Sequence, residues 1–216
     1  MASLKRTWKG MILTGFLAAG LLLNGCSGSK TAATQTKTEA TPKAEAAVED
    51  KALQPGNLGL VYTYNPKSGA WANQLAAWIE DGNGHVVRTL MATRFTAQGG
   101  YKIRSMSLPV WVKRSGLAQM EKARVDGLTA ATPRAGAQKL VWDGKDDKGQ
   151  AVPDGNYKVV LEATLYKNSD ALFTGTFVKG GQDQDIQFDT VLDQEPEVKA
   201  NRDMVTGVKA FYKGKS

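Results

Sequence analysis

The chain of 216 residues has one cysteine, Cys26, and one histidine, His85. A single thiol excludes an internal disulfide. The same scarcity excludes a Cys/His zinc site, and a serine–histidine triad would have to be built on His85 alone. No apolar run is long enough to span a bilayer; the longest, MILTGFLAAGLLL, has thirteen residues. Gly-rich phosphate loops and nucleotide fingerprints are missing. The formal charge is +7, but Lys5, Arg6 and Lys9 stand in the first ten residues; without them, 28 − 3 basic against 21 acidic residues leaves +4. The remaining charges are interspersed, with no basic stripe and no regularly spaced aromatics, which argues against nucleic acid as a partner.

What is present starts with the N-terminus. A short basic region, the thirteen-residue apolar run and then NGCSG have the form of a secretory signal. The stretch Leu23-Asn24-Gly25-Cys26 resembles the lipobox of bacterial lipoproteins, with Asn24 where Ala or Ser is more usual. That resemblance implies cleavage before Cys26, acylation of its sulfur and new amine, and a lipid anchor in the bacterial cell envelope on the periplasmic side. Several acyl chains hold a protein far better than one. Residues 1–25 are thus expected to be the signal. Residues 26–55, rich in Thr, Ala, Lys and Glu without apolar periodicity, are expected to be a flexible tether.

Residues 56–216 are expected to form one mainly β domain. LGLVYTYN reads as a strand, and NQLAAWIE as a second with Leu75, Ala77 and Ile79 on one parity. DGNGH is a turn leading to the return strand HVVRTLMATRF, with His85 facing solvent. A short helix is expected after Pro109, broken at Gly116. Lys139 to Trp142 and the alternating Tyr157, Val159, Leu161 and Ala163 read as strands around a turn, with Trp142 and Tyr157 packing across the pair. ALFTGTFVKG, QDIQFD and VTGVKAFYKG supply further strands. An antiparallel sandwich buries such a set. The form WDG.D..G..VP.G.Y resembles the immunoglobulin-like domain of flagellar hook-capping proteins, which implies an immunoglobulin-like β-sandwich with one or two short helices but no activity. The acids of WIEDGNG and of WDGKDDKG (Asp143, Asp146, Asp147) have the spacing either to hold calcium or to cap turns.

The segment DGLTAATP, residues 126–133, is small, polar and poor in core side chains. It resembles the site at which an FAD:protein FMN transferase attaches FMN to exported bacterial proteins. Asp126 stands at the acid position, Thr129 at the Ser/Thr position and Thr132 at the acceptor position. Ala130 replaces the glycine usual there. Pro133 restricts Thr132 to extended backbone, holding its hydroxyl away from a helix. Lys122, Arg124, Arg134 and Lys139 flank the motif and can offset a new phosphate charge. Trp71, Trp78 and Trp111 are candidates for stacking on a flavin ring, set against ordinary core packing.

From Leu58 onward, NQLAAWIEDGNGHVVRTLMATRF, VDGLTAATPRAG and VWDGKDDKGQAVPDGNYKV resemble a family of predicted periplasmic proteins, domain of unknown function 2271. The resemblance implies a setting similar to extracytosolic flavin-transfer systems, whose neighbours are membrane electron-transfer proteins. The expectation is a lipid-anchored electron carrier with covalent FMN on Thr132. The alternative is a cofactor-free envelope module that binds or scaffolds. A hydrolase has no nucleophile that the sequence places beside His85.

Overall fold

The computed structural model describes residues 53–68, 72–165, 169–194 and 203–215. The signal sequence, Cys26 and Trp71 lie outside the described residues.

Two sheets face each other. One has four strands in the order β5-β1-β10-β8, where β1 is Leu58–Tyr64, β5 Gly136–Trp142, β8 Gln184–Ile186 and β10 Val205–Tyr212. The other has six, β4-β3-β2-β6-β7-β9: β2 is Gln74–Asp81, β3 Val86–Thr93, β4 Thr129–Ala130, β6 Gly155–Thr164, β7 Ser169–Lys179 and β9 Phe188–Gln194. Every pairing is antiparallel except the two-residue contact of β3 with β4. The protein is a mainly β two-sheet sandwich with short helices, as its alternating patterns predict.

The core between the sheets takes the expected parity of β2 and β6, and β1 adds its own alternate residues. Leu58, Leu60, Tyr62 and Tyr64 from β1 meet Leu75, Ala77 and Ile79 from β2 and Tyr157, Val159, Leu161 and Ala163 from β6. Period-two alternation puts each set on one face of its strand. In β7, Gly175 lies opposite the β8–β9 corner, and a Cβ there would come within 2.5 Å of Ile186 Cγ2 and 3.2 Å of Phe188 Cζ. Ile186 is itself buried and cannot swing away. Gly175→Ala should therefore cost about 1–3 kcal/mol by overpacking, read as a lowered urea midpoint at unchanged m-value.

One expected pairing is different. β5 pairs with β1, whereas β6 pairs with β2 and β7. Trp142 and Tyr157 do touch, at 5.6 Å between ring centroids, but across the sandwich rather than along a hairpin. The connection from Asp143 to Asp154 is a corner between sheets. It is too long and too well capped internally to bring its two ends side by side.

The six-stranded sheet also buries its outer face. Between β3 and β4 the chain forms α1 (Arg94–Ala97), α2 (Pro109–Arg114) and α3 (Lys122–Leu128), with 3₁₀ turns at Gly100–Lys102 and Leu117–Gln119. Ala97, Leu108, Trp111, Leu117 and Leu128 cover Ala76, Trp78, Ala92 and Val160. The break expected at Gly116 is present, with that residue at φ 65°. Leu108 also adopts a left-handed backbone (φ 52°), costly for a residue with a Cβ. It is held there by complete burial and by its N–H donating to Thr164 Oγ1 at 3.3 Å.

Two buried carboxylates fasten α2 to the sheet. Glu162 accepts from the N–H groups of Val110 and Trp111 at 3.0 and 2.7 Å, satisfying donors that the first turn of any helix leaves open. At the other end, Arg114 bonds both oxygens of Glu80, at 2.7 and 3.0 Å, and Trp78 Nε1 donates to the same carboxylate. Both acids project from the outer face of the sheet beneath the helical cover.

Candidate functional site

The motif at residues 126–132 is not one continuous loop. Asp126 and Gly127 belong to α3, Thr129 and Ala130 form β4, and only the residues from Ala131 onward are irregular. Thr129 Oγ1 donates to Val125 O at 2.6 Å, closing the last turn of α3. Ala92 pairs with Thr129 and Thr93 with Ala130, which pins this short strand to β3. Beyond that anchor the chain emerges, and Thr132 is exposed. Asp126 is exposed as well. Asp126 and Thr129 do not converge, because the acid lines one cavity and the threonine another.

These two cavities lie on either side of α3. The smaller, about 500 Å³, takes in Tyr101, Met120, Lys122 and Asp126. The larger is a cleft of about 900 Å³ between α3 and β4 on one side and the Asp143–Pro153 corner on the other, with β3 between them. Arg124 crosses this region to Asp147 Oδ2 at 2.7 Å, and Asp147 Oδ1 accepts from the N–H of Thr89 at 3.2 Å. The N–H of Asp147 donates to Val87 O. A side chain and its own backbone thereby satisfy part of the β3 edge that β4 is too short to reach. Arg88 Nη1 donates to Asp146 O at 2.8 Å. Of the cations expected to offset a phosphate, Lys122, Arg134 and Lys139 are exposed, while Arg124 is committed to Asp147.

The acids of the corner act as turn caps. Asp143 Oδ1 accepts from the N–H of Lys145, and Asp146 Oδ1 from those of Lys148 and Gln150. Among the described residues no group of three or more His, Cys, Asp or Glu side chains converges. In the β2–β3 hairpin, Asp81 Oδ1 accepts from Asn83 and His85 N–H, each at 2.9 Å. Its slight burial raises the carboxyl pKa, but these bonds and the His85 ring outweigh that and hold it below the usual value. His85 faces solvent, as expected, 3.3 Å from Asp81 Oδ2.

Two of the three tryptophans suggested for flavin stacking lie in the interior; the third, Trp71, lies outside the described residues. Trp78 and Trp111 are wholly buried between the sheet and its helical cover, so neither is available to stack on a ligand. The reason is that β2 is covered on both faces, as its unbroken apolar run Leu75–Ile79 suits, so Trp78 has no solvent side. The aromatic rings at the cavities are instead Tyr101 and Tyr157. Tyr157 donates its hydroxyl to Pro153 O at 2.8 Å, and burial raises its pKa, only partly opposed by Lys179. Its alternation with Val159 and Leu161 marked it as core, which it is; its second role at the cleft depends on the corner folding back over it.

Gly127 sits in the last turn of a seven-residue helix with no side-chain N-cap. A Cβ there meets nothing within 4 Å. Gly127→Ala should add about 0.5–1 kcal/mol of stability through the unfolded state and helix propensity. The check is a urea midpoint above that of the parent.

These features define a two-sheet β-sandwich domain whose helical insert leads into an exposed threonine beside a cleft. The chain matches the family model for a predicted periplasmic protein (DUF2271) over residues 64–190, more than half its length, and belongs to that family. The matched segment contains the whole helical cover, both cavities and the motif. Neither a curated protein nor a solved structure matches the chain.

Proposed function

We propose that this protein is a lipid-anchored carrier of covalent FMN, attached to Thr132, in extracytosolic electron transfer. The observation that supports it best is the placement of Thr132: exposed, outside regular structure, and two residues beyond a strand that lines a 900 Å³ cleft. The residues present suit the group. The acceptor hydroxyl is reachable, small neighbours leave room for a transferase, and Arg134, Lys122 and Lys139 are exposed near it in sequence.

Attachment joins Thr132 Oγ1 to the phosphorus on the FMN side of FAD and breaks the pyrophosphate bond; AMP and the hydroxyl proton leave. The protein's part is to present the oxygen and keep it out of a helix. To bring Asp126 and Thr129 into a transferase site together, the last turn of α3 must open. Its short length and Gly127 make that inexpensive. A bound flavin supplies reversible electron acceptance, and the protein supplies attachment and electrostatics. Acylation at Cys26 would hold the domain at a membrane, within reach of membrane electron-transfer partners.

The test is export of the full chain together with an FAD:protein FMN transferase. Flavin fluorescence should survive a denaturing gel and fall at least tenfold in Thr132→Ala. A colourless product under those conditions contradicts the reading and leaves the alternative, a cofactor-free binding or structural module of the envelope.

A further inference from the structure

We infer that the cleft between α3 and the Asp143–Pro153 corner is the binding site for the isoalloxazine ring of the flavin; this rests on the attachment proposed at Thr132. Four observations converge on it. Thr129 and Ala130, the motif residues nearest Thr132 with fixed backbone, form part of the cleft wall. Thr132 follows Ala130 by two residues, a chain distance of at most about 7 Å, so a ribityl phosphate on its oxygen can reach the opening. The volume, about 900 Å³, lies within the range of sites for ligands of this size. The lining is mixed: Val87, Leu90 and Val152 offer apolar surface, Arg88 and Lys148 offer donors, and the carboxylates of Asp81, Asp146 and Asp147 are engaged by backbone N–H groups.

The smaller cavity is the competing location. Its one motif residue is Asp126, six positions before Thr132 and on the other side of α3. A ring tethered at Thr132 would have to pass over the helix to enter it.

The cleft is also preorganised. The Arg124–Asp147 pair ties α3 to the corner, and the Asp147–Thr89 and Arg88–Asp146 bonds tie the corner to β3. The corner wall and the Arg124 end of α3 are therefore held in place before the ring arrives, which lowers the ordering cost of binding. Lys148, exposed on the rim, supplies a cation where charge tunes the flavin.

The experiment uses full-length protein exported with the transferase, its FMN load measured by intact mass. Ring binding in the cleft predicts flavin fluorescence quenched at least threefold relative to free FMN, and an induced visible circular dichroism signal. Val152→Arg, whose flexible side chain fills the cleft, should return fluorescence to the free value and abolish the induced signal at unchanged FMN mass. Lys148→Glu, a surface change that leaves the core intact, should at least halve the induced signal. Tyr101→Ala, in the smaller cavity, should alter neither. Loaded protein with free-like spectra, or with signals that respond to Tyr101→Ala and not to Val152→Arg, overturns the ring placement while attachment stands. Absence of FMN mass overturns both.

Discussion

Trp111→Ala should lose about 3–5 kcal/mol of folding stability, the cost of removing a large aromatic side chain from a closed interior. The ring is wholly buried at the centre of the helical cover, against Trp78 and Val160, with its indole N–H 3.3 Å from Thr89 Oγ1. Its loss opens a cavity and leaves a buried hydroxyl without that donor. Because the same residue's backbone N–H is held by Glu162, the damage should spread to the anchoring of α2. Urea denaturation followed by tryptophan fluorescence and by far-ultraviolet circular dichroism should show one shifted transition, coincident in both signals. A change below about 1 kcal/mol would mean that the cover is peripheral to the cooperative core.

Stability should fall as pH rises from about 4.5 to about 8. Glu162 is the cause. Its burial, and next the nearby Asp170 charge, push its pKa up to about 8, against the opposing pull of the Trp111 and Val110 N–H groups. The folded chain then holds a proton that the unfolded chain, with an ordinary glutamate, has released. Where the native state binds more protons, raising pH disfavours it. The stabilising contribution is complete below the unfolded pKa and gone above the folded one. Across that window the loss should be on the order of 1–3 kcal/mol. Glu162→Gln should flatten this dependence. The Asp81–His85 pair is common to both proteins, so the difference between their curves isolates Glu162. Asp81, Asp154, Asp183 and Asp203 have lowered pKa values, so their contributions persist through this window and are lost only in stronger acid. Wild-type stability that rises between pH 5 and 8 would contradict the assignment.

The inward parity of two strands was legible in the sequence. Alternation in β6 and the inner parity of β2 placed Leu161 and Ile79 correctly. For Trp78 the core reading was the right one, and the unbroken apolar run Leu75–Ile79 marks a strand covered on both faces; its cover, from residues 94–128, is remote in sequence. The partnership of Trp142 with Tyr157 was legible, but not its geometry: a capped corner and a hairpin use the same Asp and Gly residues. The two buried glutamates carry a faint signal, an acid at an outward position of an otherwise apolar strand. Their partners, Arg114 and the N-terminus of α2, are far away in sequence.

At the site, the exposure of Thr132 was legible from small neighbours and from Pro133. The helix ending at Leu128 was not, since Gly127 is a poor helix former and the turn is fixed by a threonine bonding back to Val125. The cleft was invisible to sequence, because its walls come from residues 86–90, 123–130 and 146–157, joined by the Arg124–Asp147 pair, by the bonds of Arg88 and Thr89 to the corner and by the short β3–β4 pairing.

The most direct measurement is the intact and peptide mass of the protein purified from the envelope of cells that export it with the transferase. The account predicts a chain beginning at an acylated Cys26 and carrying one FMN, less one water, on the peptide that contains Thr132. A Thr132 peptide of unmodified mass from such cells would contradict it.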